Sequence, residues 1–329
     1  MKKHTISLQL IQKFLSKEEL ETILQEFNHI ETARKCTTYV LLSYLIHATA
    51  NEWKSLRHAA DVGSSAGLIS VDHSSLSKHM KALDYAIMKR IFDVIVKKLN
   101  RAARRSINLP KKQMLLVDST TVTVGKTRLP WALYHGQKAG IKLHVCYTNA
   151  KGMPLKIIET TGLKHDGPIG IELEDPRFIL VGDRAYFPIE KVDRYVKEKQ
   201  DFVPRLKENI TLHSKKSLTG TRPEGSNVVA DFTCIIGLTP KQTEKRHRVV
   251  EFLDHDGDMI RVITSLRNIT AQEIADMYKS RWGIESFFRW IKQNLNGPVL
   301  FGTTENAVFN QLFAANRLRY SQVVTHTRK

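Results

Sequence analysis

Cysteine and long apolar runs are scarce in this chain of 329 residues. Its three cysteines, Cys36, Cys146 and Cys234, are widely spaced and form neither a Cys-x-x-Cys metal motif nor an even set of disulfide partners. The best apolar stretch, Tyr39 to Ile46, is far shorter than the roughly 18 residues that a membrane-spanning helix needs. The basic start at Met1 is not followed by the apolar segment of a signal peptide. We therefore expect a protein of the reducing cytoplasm with no membrane partner.

Acidic charge is also scarce, because 33 Asp and Glu face 51 Lys and Arg, for a net charge of +18. The hydrophobic fraction of 42% is high enough for packed domains, so the excess charge bears on partners rather than on folding. Nucleic acid is the commonest partner of such a surface. Residues 1–112 hold 19 basic and 10 acidic side chains, which is half of the excess in a third of the chain. We expect this N-terminal third to make the main electrostatic contact.

Proline is absent before Pro110, and the N-terminal third has apolar residues at the three- and four-residue spacing of helices. Within residues 55–83, a short helical stretch, a Gly- and Ser-rich turn and a second helix with polar caps form a helix-turn-helix-like pattern. The pattern alone leaves an ordinary helical hairpin with a solvated face equally open. In the DNA-binding interpretation the second helix presents four side chains to DNA: Ser75, Lys78, His79 and Lys81.

After Pro110 the pattern changes to an α/β one. Strands are predicted at 114–124, 141–148, 155–160 and 178–181, followed by a helical stretch at 189–199. From 202 to 266 β signals return, including a hairpin around an Asp-Gly turn at 254–258. A capping box formed by Thr270 and Glu273 then opens one long helix that continues to Leu295.

Two carboxylates lie in or at the end of apolar strands. Asp118 follows Met114 to Val117, and Asp183 follows Phe178 to Gly182. A carboxylate at such a place is costly unless it is paired, hydrogen-bonded or bound to metal. Ligands of open α/β sheets also gather at the carboxyl ends of strands. For either aspartate alone, a helix cap or a turn residue remains the simpler explanation.

The long predicted helix carries a polar stripe beside its apolar one. At about 100° per residue, Tyr278, Arg281, Glu285 and Lys292 fall within an arc of roughly 60°. A surface ion pair between Arg281 and Glu285 would account for two of these residues. It leaves Tyr278 and Lys292 unexplained.

This stripe resembles the signature of the DDE transposases of bacterial insertion sequences, in particular the insertion-sequence-four group. The signature reads Tyr, two residues, Arg, three residues, Glu, six residues, Lys, and the chain matches all four positions; Asp118 and Asp183 match the two aspartates. The resemblance covers roughly residues 110–300. It implies an α/β fold with a ribonuclease-H-like catalytic core at 111–200 and 267–300, interrupted by a β-rich insertion at 201–266. An all-α region at 1–110 precedes the core, and a C-terminal helix and tail at 301–329 follow it.

The resemblance also implies the chemistry. Asp118, Asp183 and Glu285 would be the catalytic residues and would hold two Mg²⁺ ions, for which Mn²⁺ can substitute, with Asp118 bridging them. Tyr278, Arg281 and Lys292 would contact phosphates near the scissile bond. Four further side chains would line the same cleft: Lys142, His144, His165 and Arg184. Lys142 and His144 could equally be ordinary surface residues of a strand, and His165 could be a plain helix start.

One feature departs from the family. Relatives that cut through a DNA hairpin trap a flipped base on an aromatic side chain of the insertion, often Trp. None of the four tryptophans lies between 201 and 269, so Phe202, Phe232 or Phe252 would have to serve, or the mechanism differs.

The expected function is therefore DNA transposition by metal-dependent cleavage and strand transfer. The partners would be double-stranded DNA, as terminal inverted repeats and target, and a second copy of the chain on DNA. The expected place is the bacterial cytoplasm, at the nucleoid. A non-catalytic DNA-binding regulator derived from a transposase is the alternative from another class, and a nuclease that cuts without joining is the alternative within enzymes.

Overall fold

The structure is a computed structural model that describes residues 15–106, 112–148, 153–218, 224–295 and 300–326. The parts of the predicted regions that fall between or beyond these ranges, such as 1–14 and 327–329, lie outside the described residues. The helices are α1 Lys17–Glu26, α2 Thr38–Ala50, α3 Leu56–Gly63, α4 His73–Ala82, α5 Tyr85–Ser106, α6 Asp166–Glu172, α7 Val192–Lys197, α8 Ala271–Lys279, α9 Trp282–Leu295 and α10 Glu305–His326. The strands are β1 Met114–Gly125, β2 Lys138–Thr148, β3 Met153–Thr161, β4 Ile179–Gly182, β5 Asp201–Pro204, β6 Leu212–Ser217, β7 Val228–Ile236, β8 His247–Leu253 and β9 Met259–Thr264.

The N-terminal part is helical, as predicted, and begins its helices with side-chain caps. Ser16 and Glu19 form a capping box at α1, and Thr37, Ser55 and Asp72 cap α2, α3 and α4. The C-terminal helix α10 packs against α5, α2 and α4. The side-chain amide of Asn310 on α10 donates to the carbonyl oxygens of Met80 and Leu83. The C-terminal helix is thus part of the N-terminal helical layer.

The catalytic-core prediction corresponds to a five-stranded sheet with the order β3-β2-β1-β4-β5. The first three strands pair antiparallel, whereas β4 and β5 run parallel to β1. This is the ribonuclease-H-like arrangement that was expected. One boundary needs correction, because residues 201–204 form β5 at the edge of this sheet and not the start of the insertion. The apolar run Phe202–Val203 pairs with β4 and is fully buried there.

The insertion is a separate antiparallel sheet with the order β6-β7-β8-β9. The predicted hairpin is confirmed: β8 and β9 pair in register around the Asp-Gly turn, where Gly257 has a φ of +87°. An isolated bridge between Arg205 and Val262 joins this sheet to the end of β5.

The prediction of a single long helix from Thr270 to Leu295 is wrong, because the segment forms two helices. The capping box of Thr270 and Glu273 is present, but α8 ends at Lys279 and α9 begins at Trp282. At the break, the N–H of Arg281 donates to the carbonyl of Tyr278, three residues earlier, in place of an α-helical bond four residues earlier. The apolar periodicity continues across the break, which is why the sequence did not reveal it.

None of the described helices is long and apolar enough to cross a membrane. All three cysteines are buried as free thiols.

Candidate active site

The two aspartates are neighbours because β1 and β4 are parallel and in register. Val117 lies opposite Gly182, and Asp118 and Asp183 each follow by one residue. A Cβ atom at Gly182 would lie 2.8 Å from the carbonyl oxygen of Val117, so only glycine lets β4 approach β1 this closely. The sheet therefore places Asp118, within β1, beside Asp183, which directly follows β4.

Glu285 approaches the two aspartates from α9, which packs against β1. Arg281, in the break between α8 and α9, joins the elements: its Nη1 lies 2.7 Å from Oδ2 of Asp118, and its Nη2 lies 3.1 Å from Oε1 of Glu285. The surface ion pair between Arg281 and Glu285 exists, but it is half of a bridge that includes Asp118. The side chains of Arg281 and Asp118 are only 18% and 19% exposed.

Burial and neighbouring charges shift the pKa values of Asp118 and Arg281 in this cluster. Burial raises the pKa of Asp118 above its usual value, and the negative charges of Asp183 and Glu285 raise it further, against the opposing effect of Arg281. Burial alone would lower the pKa of the Arg281 guanidinium, but Tyr278 and the three carboxylates raise it. A carboxylate whose pKa is raised by burial and by neighbouring charges is typical of a functional site.

The donor set fits a hard divalent cation, because it consists of three carboxylates without histidine or cysteine. No choice of one oxygen from each brings Asp118, Asp183 and Glu285 all within 4.8 Å of one another. The guanidinium that bridges Asp118 and Glu285 supplies the positive charge there. Its buried Nε has no hydrogen-bond partner. The hydrogen-bonding capacity of Arg281 is thus only partly satisfied by the two carboxylates.

The other residues of the signature lie around this cluster. Tyr278, on α8, is 6% exposed, packs against Phe252 and lies beside the Arg281 guanidinium, and burial raises its pKa. Lys292 is exposed on α9, two turns beyond Glu285. Trp282, adjacent to Arg281, is 53% exposed and meets the ring of His255 in the β8–β9 turn edge to face, at 4.5 Å between centroids.

Two of the predicted cleft residues converge on a carboxylate that the sequence did not single out. Oδ1 of Asp166 lies 3.4 Å from Nζ of Lys142 and 3.3 Å from Nδ1 of His144. It also accepts hydrogen bonds from the hydroxyls of Ser119 and Tyr186 at 3.1 and 3.3 Å. These contacts outweigh burial and lower the pKa of Asp166 to about 2, with the His144 hydrogen bond the largest favourable cause.

The Asp166 cluster lies on the opposite face of β1 from the Asp118 side chain. Successive side chains of a strand point to opposite faces, so Asp118 faces α9 and Ser119 faces α6. His144 is fully buried, which excludes it from contact with DNA in this arrangement. His165 and Arg184 are exposed, and His165 is the N-terminal cap position of α6, as the alternative of a helix start had it. The sequence signal that could have revealed the Asp166 cluster was the position of Asp166 next to His165 at the start of this helix.

The helix-turn-helix-like segment consists of α3 and α4, which pack together. On α4, Ser75, Lys78 and Lys81 are exposed, as expected of a DNA-facing side. His79 needs correction: its side chain is 11% exposed, and its Nδ1 donates to the carbonyl of Cys36 at 2.5 Å. Its ring is held inside the helical layer and is not presented to DNA.

The aromatic candidates of the insertion are also corrected. Phe202, Phe232 and Phe252 are 0%, 3% and 0% exposed, so none of them offers a ring face to a base. The exposed aromatic beside the carboxylates is Trp282, which lies outside the insertion but contacts it through His255.

The chain is similar to known proteins in both sequence and fold. The family described as "Transposase DDE domain" matches residues 109–319. A probable transposase for insertion sequence element IS5377 from Geobacillus stearothermophilus is 51% identical over 315 residues, which are 96% of this chain and 83% of the relative. The putative transposase y4zB of Sinorhizobium fredii is 32% identical over 237 residues, which are 70% of this chain and 65% of the relative.

Among solved structures, the chain is similar to the piggyBac transposase in a synaptic complex with hairpin DNA. The TM-score is 0.52, and the match covers 98% of this chain and 76% of that one. At 12% sequence identity the likeness shows the fold alone.

Proposed function

The chain belongs to the DDE transposase family, and we propose that it cleaves DNA at the ends of an insertion sequence and joins those ends to target DNA. The observation that carries the proposal is the convergence of Asp118, Asp183 and Glu285 from three elements far apart in sequence, close enough for the charges of the other two to raise the pKa of Asp118. Enzymes of this family generally use a divalent metal. We infer two Mg²⁺ ions, for which Mn²⁺ can substitute, held by these three carboxylates.

Bound metal would activate the attacking oxygen and stabilise the leaving one in phosphodiester cleavage and joining. The residues of this chain do the rest. Asp118 is held by Arg281 and by the backbone N–H of Ser119, which donates to its Oδ1 at 2.8 Å. Its second oxygen is available to a cation once Arg281 turns away. We infer that Arg281 then moves to a phosphate oxygen, where its charge stabilises the transition state.

Positioning of the DNA backbone would fall to the other residues of the signature. Lys292 is exposed on the same helix as Glu285 and fits a phosphate contact near the cut. Tyr278 is too buried for a broad contact with DNA. Its ring lies beside the guanidinium of Arg281, where it would orient that side chain. Lys142 and His144 act indirectly in this proposal, through Asp166 and the strand that carries Asp118.

Recognition of the DNA ends is assigned to the helical layer. Ser75, Lys78 and Lys81 form one exposed side of α4, in the most basic third of the chain. Because two ends must be brought together, we infer a homodimer on DNA. The relatives are bacterial, which supports action on the DNA of a bacterial cytoplasm.

The test is a cleavage assay with the full chain, Mg²⁺ and linear DNA that carries the terminal inverted repeats of the element. Cut ends with joined products are expected. Glu285→Gln should abolish cleavage and leave end binding within about twofold, whereas Glu208→Gln, at a carboxylate that is 77% exposed, should leave both unchanged.

The outcomes separate the alternatives. Cutting without joining would support the nuclease. Binding without cutting by the wild-type chain would support the regulator. Cleavage that survives Glu285→Gln would overturn the assignment of the site.

A further inference from the structure

A second cluster of metal-binding side chains lies in the N-terminal helical layer, away from the catalytic carboxylates. His29 and Glu31, in the loop between α1 and α2, and His79 on α4 each offer one ligand atom, and the three atoms lie within 4.8 Å of one another. Within the described residues one other such group exists, Asp254 with His255 and Asp256, but it is a consecutive run in an exposed turn. Only the first group brings distant segments together.

The hydrogen bonds of His79 leave its second nitrogen facing the cluster. Nδ1 lies 2.5 Å from the carbonyl oxygen of Cys36, and because a carbonyl only accepts, Nδ1 carries the proton. The lone pair is then on Nε2, which lies 4.0 Å from Oε1 of Glu31. The hydroxyl oxygen of Thr38 lies 3.4 Å from the same nitrogen, a long hydrogen bond that bound metal would replace. A metal-binding histidine typically donates its other N–H in this way, which fixes the tautomer and the ring plane.

Glu31 is oriented by the same segment. Its Oε2 accepts a hydrogen bond from the backbone N–H of Thr38 at 2.6 Å, so Oε1 is the oxygen that faces His79. The side chains of His79 and Glu31 are 11% and 27% exposed, which leaves room for a water from one side. Both ligands therefore have an outer hydrogen bond to backbone.

We propose that His29, Glu31 and His79 bind one Zn²⁺ ion, with water as the fourth ligand. Two imidazoles and one carboxylate are a common zinc donor set. From zinc bond lengths of about 2.0–2.2 Å, tetrahedral donors lie roughly 3.4 Å apart. The 4.0 Å between Nε2 of His79 and Oε1 of Glu31 therefore has to shorten by about 0.6 Å. The loop can supply this movement, because Ile30 between the two loop ligands is 80% exposed and packs against little.

The site would link the loop to the DNA-facing helix. His79 shares α4 with Ser75 and Lys78, and these residues line one cavity of about 720 Å³ together with His29 and Glu31. Bound zinc would fix α4 relative to the loop without touching DNA. This consequence for end binding rests on the proposed function; the metal site itself does not.

The experiment uses the full chain carrying Asp118→Asn and Glu285→Gln, so that the catalytic carboxylates do not bind the probe. Zn²⁺ is measured by isothermal titration, and Co²⁺ by the visible absorption bands of tetrahedral coordination. One equivalent of each is expected. His29→Ala and His79→Ala should each weaken Zn²⁺ binding by about a hundredfold, and the tetrahedral bands should disappear.

His73→Ala is the matched control, because this histidine is also on α4 and its side chain is 40% exposed. It should bind Zn²⁺ as tightly as its parent. If His79→Ala fails to fold, as judged by circular dichroism, Glu31→Gln tests the same site with almost unchanged shape. No Zn²⁺ binding by the parent, or equal binding by the His29 and Glu31 variants, would overturn the proposal. Failure of DNA cleavage would not affect it.

Discussion

Nη1 of Arg281 lies 2.7 Å from Oδ2 of Asp118, although the two residues are 163 positions apart in the chain. Arg281 also bonds Glu285, so a single guanidinium connects the strand that carries Asp118 to the helix that carries Glu285. Its positive charge opposes the repulsion that Asp183 and Glu285 exert on the Asp118 carboxylate.

Replacing Arg281 should therefore expose that repulsion. We expect Arg281→Ala to lower the free energy of unfolding in EDTA by about 2–3 kcal/mol, below the value for a fully buried pair because both partners are partly exposed. Added Mn²⁺ should stabilise the variant more than the wild type, since the ion no longer competes with the guanidinium. Thermal unfolding with and without Mn²⁺ measures both effects. Arg289→Ala, at an exposed arginine of the same helix, is the control, and equal Mn²⁺ stabilisation of all three proteins would contradict the interpretation.

The Asp166 cluster predicts a pH dependence of stability. The pKa of Asp166 falls from 3.8 to about 2 on folding, so its carboxylate contributes stability above pH 4 that is lost as the pH falls toward 2. The shift corresponds to about 2 kcal/mol. Asp166→Asn should be less stable than the wild type at pH 7 and should lose less stability between pH 4 and pH 2.

Urea denaturation at a series of pH values measures this difference. Glu172→Gln, at an exposed carboxylate on the same helix α6, should follow the wild-type curve. Parallel curves for Asp166→Asn and the wild type would show that the network does not hold the carboxylate ionised.

Trp282 is expected to stack on a DNA base next to the cut. Because it is 53% exposed, Trp282→Ala should leave the fold intact but reduce end cleavage by about tenfold, the lower part of what base stacking contributes. Trp282→Phe should retain most activity. Fluorescence of 2-aminopurine at the terminal base pairs reports the stacking, and Phe27→Ala, at a 36% exposed aromatic of the helical layer, is the control. Unchanged cleavage and fluorescence in Trp282→Ala would remove this residue from the DNA contact.

Arg248 is expected to hold the insertion to the segment that leads into α8. It bonds Asp231 at 2.9 and 2.8 Å and the carbonyls of Leu266 and Ile269 at 3.0 and 2.9 Å. Arg248→Met should lower the free energy of unfolding by about 3–5 kcal/mol, because Asp231 is left buried without its partner. Adding Asp231→Leu should restore much of the loss.

Chemical denaturation measures this series. Arg267→Met, at an exposed arginine nearby, should cost little. If the double variant is no more stable than Arg248→Met, the cost comes from packing of the arginine and not from the unpaired charge.

Lys81 should contact DNA phosphate through its exposed position on α4. Lys81→Ala should weaken binding to specific and unrelated DNA alike and reduce the slope of log affinity against log salt by about 1. Binding isotherms at several salt concentrations give that slope. Lys241→Ala, at a 73% exposed lysine following the insertion strand β7, should leave it unchanged, and an unchanged slope for Lys81→Ala would place DNA elsewhere.

The sequence by itself determined most of the local structure and the family of the protein. Strand and helix periods, the Asp-Gly turn and the capping box of Thr270 and Glu273 are encoded within a few neighbouring residues, and the structure contains each of them. The spacing of Tyr278, Arg281, Glu285 and Lys292 identified the family, and the ends of two apolar strands identified Asp118 and Asp183.

Tertiary structure alone decided where these side chains point and which partners they bond. The helix break at Arg281 leaves the apolar period intact, so no local pattern reveals it, yet it turns the guanidinium from a surface pair with Glu285 into a bridge to Asp118. The ring of His79 is likewise buried and does not lie on the exposed side of α4. The carbonyl that it bonds belongs to Cys36, more than 40 residues away, so the local sequence does not reveal this contact. Local propensity depends on near neighbours, whereas the direction and partner of a side chain depend on which distant segments pack against it.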